Sequence, residues 1–288
     1  MEVVQPETRA CPACGSDSGH STFSVNGYDM KECDVCGTLY VERPPATAEL
    51  EAIYAAPNYR ERGDVDELRF AREAGARADI LDQQGCRSVL EIGCAEGFFL
   101  DAARARGMHV EALEPGASAN RAIERGHVIH RVWLREFEPS IARFDGVAMW
   151  DVLEHLVDPR QALAHASSWL REGGVLAIST PSWSGLAARM LGRKFPMVIP
   201  PEHLEVFTRR GLEHLLARTG FRSFRWTSYS NLGCEQLDRG FQRYLLGSSR
   251  PARLIAAAFA HLGARPFEWV DRLGWGISYE LYARKLDG

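Results

Sequence analysis

The stretch from Val89 to Gly97 reads Val-Leu-Glu-Ile-Gly-Cys-Ala-Glu-Gly, and it decides the fold of this chain. Its pattern predicts an apolar strand, a glycine turn and then an amphipathic helix over residues 98–106. A glycine turn lets the backbone approach a ligand closely, and a helix start presents unpaired N–H groups to it. Glu114 ends the next apolar run, where an acidic side chain can receive the two hydroxyls of a ribose. The stretch therefore predicts a cofactor site, with an ordinary tight turn as the alternative.

Three later blocks follow in an order that narrows the fold. A strand over Phe144–Trp150 leads into Asp151, a second apolar strand occupies Gly173–Pro181, and the tail contains Ile277–Lys285. Together with the first stretch, these blocks resemble class I S-adenosylmethionine-dependent methyltransferases. The resemblance implies an α/β fold with a doubly wound, Rossmann-like sheet of seven strands, the last one antiparallel. A nicotinamide-binding fold would be expected to show a fuller run of spaced glycines and would leave the later blocks unexplained.

The resemblance also implies S-adenosylmethionine as the cofactor and suggests which residues contact it. The ribose would lie on Glu114, and the adenine would lie between Trp133 and Leu134, for which core packing is the alternative. The predicted cofactor-binding residues are Glu91, Gly93, Ala95, Gly97, Glu114, Trp133, Leu134 and Asp151.

Four of the seven cysteines form a second signature near the amino end. Cys11-Pro-Ala-Cys14 and Cys33-Asp-Val-Cys36 are Cys-x-x-Cys pairs, each followed by a glycine. This spacing predicts a zinc ribbon, and four thiolates would close the coordination shell, so the metal would be structural. A redox pair, or His20 as an alternative ligand, is disfavoured because the two pairs match.

Composition limits the classes of partner and location. A chain of 288 residues with 45% apolar content can bury one large core and a small satellite. The formal net charge of −4 argues against a dedicated nucleic-acid-binding protein, and between the cysteine pairs only Lys31 is cationic. We expect a cytoplasmic protein, because no secretory leader or membrane span is visible and four cysteines have metal-ligand spacing.

The motifs divide the chain into three parts. Residues 1–45 form the predicted ribbon, residues 46–85 a helical bridge or lid, and residues 86–288 the catalytic core. The bridge resembles the corresponding segment of sugar C-methyltransferases. Two insertions, 182–207 and 233–276, lie where substrate choice is expected. The second insertion predicts helices packed on the core or on a partner subunit, with an apolar lid or a membrane-surface helix for a lipid-linked acceptor as the alternative.

The chemistry is expected just after the strand that ends at Trp150. Asp151, Glu154 and His155 have i, i+3, i+4 spacing, so one helical turn would bring them to one face. We predict His155 as the general base, with Glu154 orienting it and His203 as the second candidate. A capping turn is the alternative for this segment. In quinone-pathway O-methyltransferases, which it resembles, such a segment has been linked to a divalent metal, so weak Mg²⁺ binding is a minor option.

The sequence predicts an enzyme that transfers a methyl group from S-adenosylmethionine to a small molecule. The expected acceptor is a hydroxyl of a sugar or a secondary metabolite. An RNA base methyltransferase that uses the ribbon for binding is one alternative. A cofactor-binding protein that has lost turnover is the other. The acceptor itself, the atom that is methylated and the oligomeric state stay open.

Overall fold

The fold is described by a computed structural model over residues 8–56, 67–139, 142–230 and 265–287. In chain order its strands are β1 (Gly19–Val25), β2 (Tyr28–Cys33), β3 (Leu39–Val41), β4 (Ser88–Ile92), β5 (His109–Leu113), β6 (Val128–His130), β7 (Phe144–Trp150), β8 (Leu170–Pro181), β9 (Glu205–Val206), β10 (Phe221–Tyr229) and β11 (Ser278–Lys285). Its α-helices are α1 (Thr47–Ala55), α2 (Glu67–Gln83), α3 (Phe98–Arg104), α4 (Asn120–Glu124), α5 (Pro159–Trp169), α6 (Leu186–Leu191), α7 (Arg209–Arg218) and α8 (Arg265–Arg272).

The larger sheet has seven strands in the order β10-β11-β8-β7-β4-β5-β6. Strand β4 pairs in parallel with β5 on one side and with β7 on the other. The strand order therefore reverses at β4, and ligands of such sheets bind beyond the carboxyl ends of the strands at this switch point. Strand β11 is antiparallel to both β8 and β10, which confirms the predicted closing strand.

Helices cover both faces of this sheet, as its buried parallel strands require. On one face, α2 and α3 contribute Ala78, Leu81 and Leu100 to a buried apolar cluster. On the other face, α5 and α7 pack Leu163 and Leu215 against the strands. The strand ends that carry the candidate site are thus held by two layers of packed side chains.

The alternation of strands and helices in the sequence predicts helices over residues 117–125 and 159–171, the second with Asp158 as its N-cap. The structure differs from several of these boundaries. The helix expected over residues 117–125 is a short 3₁₀ helix, Ala117–Ala119, followed by α4. The helix expected over residues 159–171 ends at Trp169, because β8 starts at Leu170 and is longer than its apolar centre suggested. Asp158 caps α5 as predicted, since its side chain accepts a hydrogen bond from the Gln161 amide at 2.9 Å.

The insertion over residues 233–276 is described only from residue 265 onward, where α8 begins. Its predicted helices before that point lie outside the described residues. Within the described ranges, none of the helices is long and apolar enough to cross a bilayer.

The smaller sheet has four strands in the order β1-β2-β3-β9. Its first three strands carry or flank the cysteine pairs, whereas β9 comes from the insertion over residues 182–207. Leu39 of β3 pairs with Val206 of β9, and both side chains are fully buried in a third apolar cluster. The ribbon is therefore hydrogen-bonded to a segment that borders the candidate site.

Candidate active site

The glycine turn after β4 has the shape that a close ligand approach requires. Gly93 and Gly97 have φ angles of +75° and +85°, which side-chain-bearing residues rarely adopt. A Cβ on Gly93 would lie 2.6 Å from Val152 Cγ2, and one on Gly97 would lie 2.8 Å from Ala122 Cβ. Ala95, between them, also has a positive φ of +46°. Strained backbone of this kind concentrates at functional sites.

Glu114 lies at the end of β5 and reaches back to this turn. Its Oε2 accepts a hydrogen bond from the Ala95 amide at 3.2 Å, and its Oε1 accepts one from the Gly116 amide at 3.0 Å. An ionised carboxylate has about four acceptor positions, so both oxygens retain capacity for ribose hydroxyls. The half-buried carboxylate thus holds the turn in place and is available to a ligand in the crevice.

Glu91 lies on β4 just beneath the turn and is fully buried. Burial raises the pKa of its carboxyl well above the ordinary range, although Arg77 counteracts part of this shift. Across the described ranges its Oε2 has no hydrogen-bond partner. A buried polar atom without a partner is rare in native proteins, and a polar group of a bound ligand would satisfy it. The turn, Glu114 and Glu91 together fit a nucleoside cofactor with a charged tail.

Arg77 of α2 was not among the predicted site residues, yet it shapes this region. Its guanidinium lies 2.9 Å from the Glu280 carboxylate and over the Trp150 ring, 4.4 Å from the centroid. The sequence does indicate that Arg77 is buried, because this residue falls within the apolar stripe of α2 that contains Ala74, Ala78 and Leu81. A charged residue in such a stripe is buried only when it has partners.

Asp151 and Glu154 follow β7 but do not share one face. Asp151 is exposed, has a φ of +55°, and accepts a hydrogen bond from Ser179 Oγ at 3.1 Å. Glu154 is fully buried and accepts a hydrogen bond from Thr180 Oγ1 at 3.0 Å through Oε2. Burial, followed by the charge of Asp151, raises the pKa of Glu154 well above its usual value. The protonated form of the Glu154 carboxyl is therefore favoured relative to that of an exposed glutamate.

His155 and His203 lie against each other at the rim. Their ring centroids are 4.7 Å apart, with ring planes nearly perpendicular. His155 Nδ1 lies 2.7 Å from the Glu202 carbonyl, and His203 Nδ1 lies 2.8 Å from the Met197 carbonyl. Because a carbonyl only accepts, both rings carry a proton on Nδ1, and Nε2 is then the basic nitrogen. Each ring is thus held by a backbone carbonyl.

Tyr54 of α1 completes this corner. Its hydroxyl lies 3.1 Å from His155 Nδ1 and donates a hydrogen bond to the Glu202 carbonyl at 2.9 Å. Ligand atoms of Glu154, His155 and His203 all fall within 4.8 Å of one another, whereas Asp151 is not part of this group. The bridge helix, the β7 loop and the first insertion therefore meet beside the crevice.

Trp133 and Leu134 follow β6 and are half-buried at the start of a short 3₁₀ helix, Leu134–Glu136. Leu134 packs against the apolar cluster under α5, as the core-packing alternative expects. The Trp133 amide donates to the Glu136 carboxylate at 3.0 Å, which fixes the backbone of this corner. Both residues lie beyond the strand that neighbours β5 and its terminal Glu114.

The four cysteines of the ribbon converge on one point. Sγ atoms from different pairs are 3.6 Å apart for Cys11 and Cys36 and 3.5 Å apart for Cys14 and Cys33. All four sulfur atoms lie within 4.8 Å of one another. A tetrahedron with zinc–sulfur bonds of about 2.3 Å places its sulfurs about 3.8 Å apart. The donor set and its spacing fit a closed zinc site.

Comparison with known proteins places this chain in a family. Residues 59–223 match the family described as methyltransferase domain, which is more than half of the 288 residues. The chain belongs to this family, and the resemblance to S-adenosylmethionine-dependent methyltransferases is confirmed.

Two curated relatives are ubiquinone biosynthesis O-methyltransferases. The protein from Bradyrhizobium sp. (strain ORS 278) is 28% identical over 142 residues, which are 44% of this chain and 56% of that protein. The protein from Nitrobacter winogradskyi is 26% identical over 227 residues, which are 70% of this chain and 84% of that protein. The chain thus spans just over half of the first relative.

A solved structure extends the comparison to the fold. The Burkholderia thailandensis 1,6-didemethyltoxoflavin-N1-methyltransferase, bound to 1,6-didemethyltoxoflavin and S-adenosylhomocysteine, gives a TM-score of 0.54 at 18% identity. The superposition covers 94% of this chain and 100% of that chain. At this identity the likeness concerns the fold alone, and it confirms the predicted Rossmann-like methyltransferase architecture.

Proposed function

We propose that this protein transfers a methyl group from S-adenosylmethionine to a hydroxyl group of a small molecule. The observation that carries the proposal is the position of His155, a ring oriented through Nδ1 beside the crevice formed by the glycine turn and Glu114. The names of the curated relatives, which are O-methyltransferases, support an oxygen acceptor. A sugar or a secondary metabolite is the acceptor class that the proposal includes.

The crevice residues would hold the cofactor. Glu114 would accept hydrogen bonds from the ribose hydroxyls, and the Gly93–Gly97 turn would let the backbone contact the nucleoside. The buried carboxyl of Glu91 would hydrogen-bond the polar end of the cofactor. When bound, S-adenosylmethionine supplies an electrophilic methyl carbon on a sulfonium. Holding an acceptor in line with that carbon can contribute roughly 7 to 11 kcal/mol to the lowering of the barrier.

His155 would remove the proton from the acceptor hydroxyl. Its Nδ1–H would stay on the Glu202 carbonyl, and its Nε2 would take the proton that the acceptor hydroxyl releases. A positioned base of this kind contributes roughly a hundredfold to ten-thousandfold to the rate. His203 would line the acceptor side of the same corner.

Cys11, Cys14, Cys33 and Cys36 would hold one structural zinc ion. Binding to such a site contributes on the order of 10 kcal/mol to the folding of a small segment. The proposed organisation is a ribbon over residues 1–45, a helical bridge over 46–85 and a methyltransferase core over 86–288. The insertions over 182–207 and 233–276 would shape the acceptor pocket.

A turnover assay tests the proposal. The purified chain is incubated with S-adenosylmethionine and with sugars, catechols or short RNA strands, and formation of S-adenosylhomocysteine is followed. We expect product with a hydroxylated small molecule and not with RNA. His155→Gln should lower kcat about a hundredfold or more with little change in the Kd for S-adenosylhomocysteine, whereas His214→Gln on α7 should behave as the unmodified protein. Binding of the cofactor without product from any acceptor would instead support a protein that has lost turnover.

A further inference from the structure

Arg9 lies just before the first cysteine pair and joins three segments of the chain. Its Nε donates to the Val41 carbonyl at 2.9 Å, and its Nη1 donates to the Val157 carbonyl at 2.9 Å. Its Nη2 lies 3.4 Å from the Leu204 carbonyl and 2.8 Å from Glu205 Oε1. The Arg9 side chain is 15% exposed and that of Glu205 is fully buried. A single guanidinium thus contacts the ribbon, the loop after β7 and the first insertion.

These contacts are close to both candidate histidines. Val157 follows His155 by two residues, and Leu204 is the residue directly after His203. Backbone hydrogen bonds connect the same segments. The Leu204 amide donates to the Glu154 carbonyl at 2.8 Å, and the Val41 amide donates to the Leu204 carbonyl at 2.8 Å. The relative position of the two rings therefore depends on a ladder that starts at ribbon strand β3.

We propose that Arg9 is a positioning residue that fixes His155 and His203 relative to the cofactor crevice by tying their segments to the ribbon. The proposal rests on the proposed function for the role of the histidines. The tie itself, which is the set of Arg9 hydrogen bonds to the carbonyls of Val41, Val157 and Leu204, does not depend on that function. It assigns the ribbon a part in forming the acceptor side of the site. Damage to the ribbon would then disturb the acceptor side more than the cofactor side, whose turn and Glu114 belong to the large sheet.

The contacts require arginine rather than any cation. A guanidinium has five N–H donors in a fixed fork, and here they reach carbonyls on three different segments. Lysine at this position would keep a positive charge opposite Glu205, but its single ammonium group could not span the same carbonyls. Arg9→Lys therefore removes the hydrogen bonds to the three carbonyls while it keeps the positive charge.

Amide hydrogen exchange measures the tie without an acceptor. In Arg9→Lys we expect the peptides that contain the Val41 and Leu204 amides to exchange about tenfold faster, because their local ladder opens more often. Peptides of β4 and β5, including Val110, should be unchanged, and so should the Kd for S-adenosylhomocysteine. The control is Arg43→Met, since Arg43 is an exposed arginine shortly after β3. It should leave all of these values as they are.

A double variant distinguishes loss of the tie from a folding defect. Arg9 and Glu205 form a buried hydrogen-bonded pair. Replacing both members of such a pair by apolar side chains is often neutral for stability, so Arg9→Met/Glu205→Met should fold but still lack the tie. We expect the same fast exchange at residues 41 and 204 in this variant. Where turnover is detectable, kcat should fall about tenfold or more in both variants, with KM for S-adenosylmethionine unchanged.

Three results would overturn the proposal. Normal exchange at residues 41 and 204 in both variants would show that Arg9 does not hold this ladder. A uniform rise over both sheets would show that Arg9 only stabilises the fold. Loss of the tie with unchanged kcat would refute the positioning role, whereas absence of turnover in the unmodified protein would count against the proposed function and leave the exchange result standing.

Discussion

The replacement of Glu114 by alanine tests the cofactor crevice most quantitatively. The carboxylate accepts bonds from the Ala95 and Gly116 amides, and the proposed complex adds the two ribose hydroxyls. Hydrogen bonds to a charged group contribute roughly 1.5–3 kcal/mol each, so losing both ribose bonds should weaken binding by at least about 3 kcal/mol. Since about 1.4 kcal/mol corresponds to tenfold in affinity, the Kd should rise at least about a hundredfold.

Titration calorimetry with S-adenosylhomocysteine is the appropriate assay, because this ligand cannot turn over. Glu114→Gln keeps one acceptor oxygen but loses the charge, and we expect a smaller rise in Kd, about tenfold. Glu124→Ala on α4 removes an exposed carboxylate and should change nothing. Circular dichroism of each variant checks that the fold is retained. A Kd of a folded Glu114→Ala protein within about threefold of the unmodified protein would refute the ribose contact.

Three further predictions concern the ribbon and the buried charges. Cys33→Ser should reduce bound zinc, measured by elemental analysis, from about one ion per chain to well below one, because it removes one of four ligands. Burial raises the pKa of Glu205 to about 8 from its ordinary 4.5, so the folded state keeps a proton that the unfolded state releases. The free energy of unfolding in urea should therefore decrease between these pH values, by up to about 1.4 kcal/mol per pH unit, and Glu205→Gln should flatten this slope. Arg77→Met should destabilise the protein by about 3–5 kcal/mol in urea, because it leaves the carboxylate of Glu280 without its partner.

Each of these predictions has a contrary result. Full zinc content in Cys33→Ser would mean that this thiolate is not a ligand. An identical pH slope with and without Glu205→Gln would mean that its carboxyl is ionised in the folded protein near neutral pH. Unchanged stability of Arg77→Met would mean that the guanidinium lies in solvent. If the pair is buried as described, Arg77→Met/Glu280→Met should recover most of the stability that Arg77→Met loses.

The sheet could be predicted because its signals are local. The stretch 89–97 combines an apolar strand with glycines that need positive φ, and the tail 277–285 alternates toward the core as a strand does. The convergence of four sulfurs was likewise expected from the spacing of two cysteine pairs. Such patterns depend on neighbours within a few residues, so the amino-acid sequence exposes them directly.

Other features depend on contacts between distant segments. Strand β9 has only two residues, Glu205–Val206, and no periodicity could indicate that it pairs with ribbon strand β3. Asp151 and Glu154 have similar side chains and lie three residues apart. Only Glu154 is buried, where it accepts a hydrogen bond from Thr180 on the neighbouring strand. The orientation of His155 comes from a backbone carbonyl at residue 202, which no side-chain pattern records.

The structure of the protein with S-adenosylhomocysteine bound tests the central claim most directly. We predict that the ribose hydroxyls lie within hydrogen-bond distance of the Glu114 carboxylate and that the nucleoside contacts the turn over residues 93–97. The sulfur should face the corner formed by His155 and His203. A ligand bound elsewhere, or a sulfur directed away from these rings, would contradict the account.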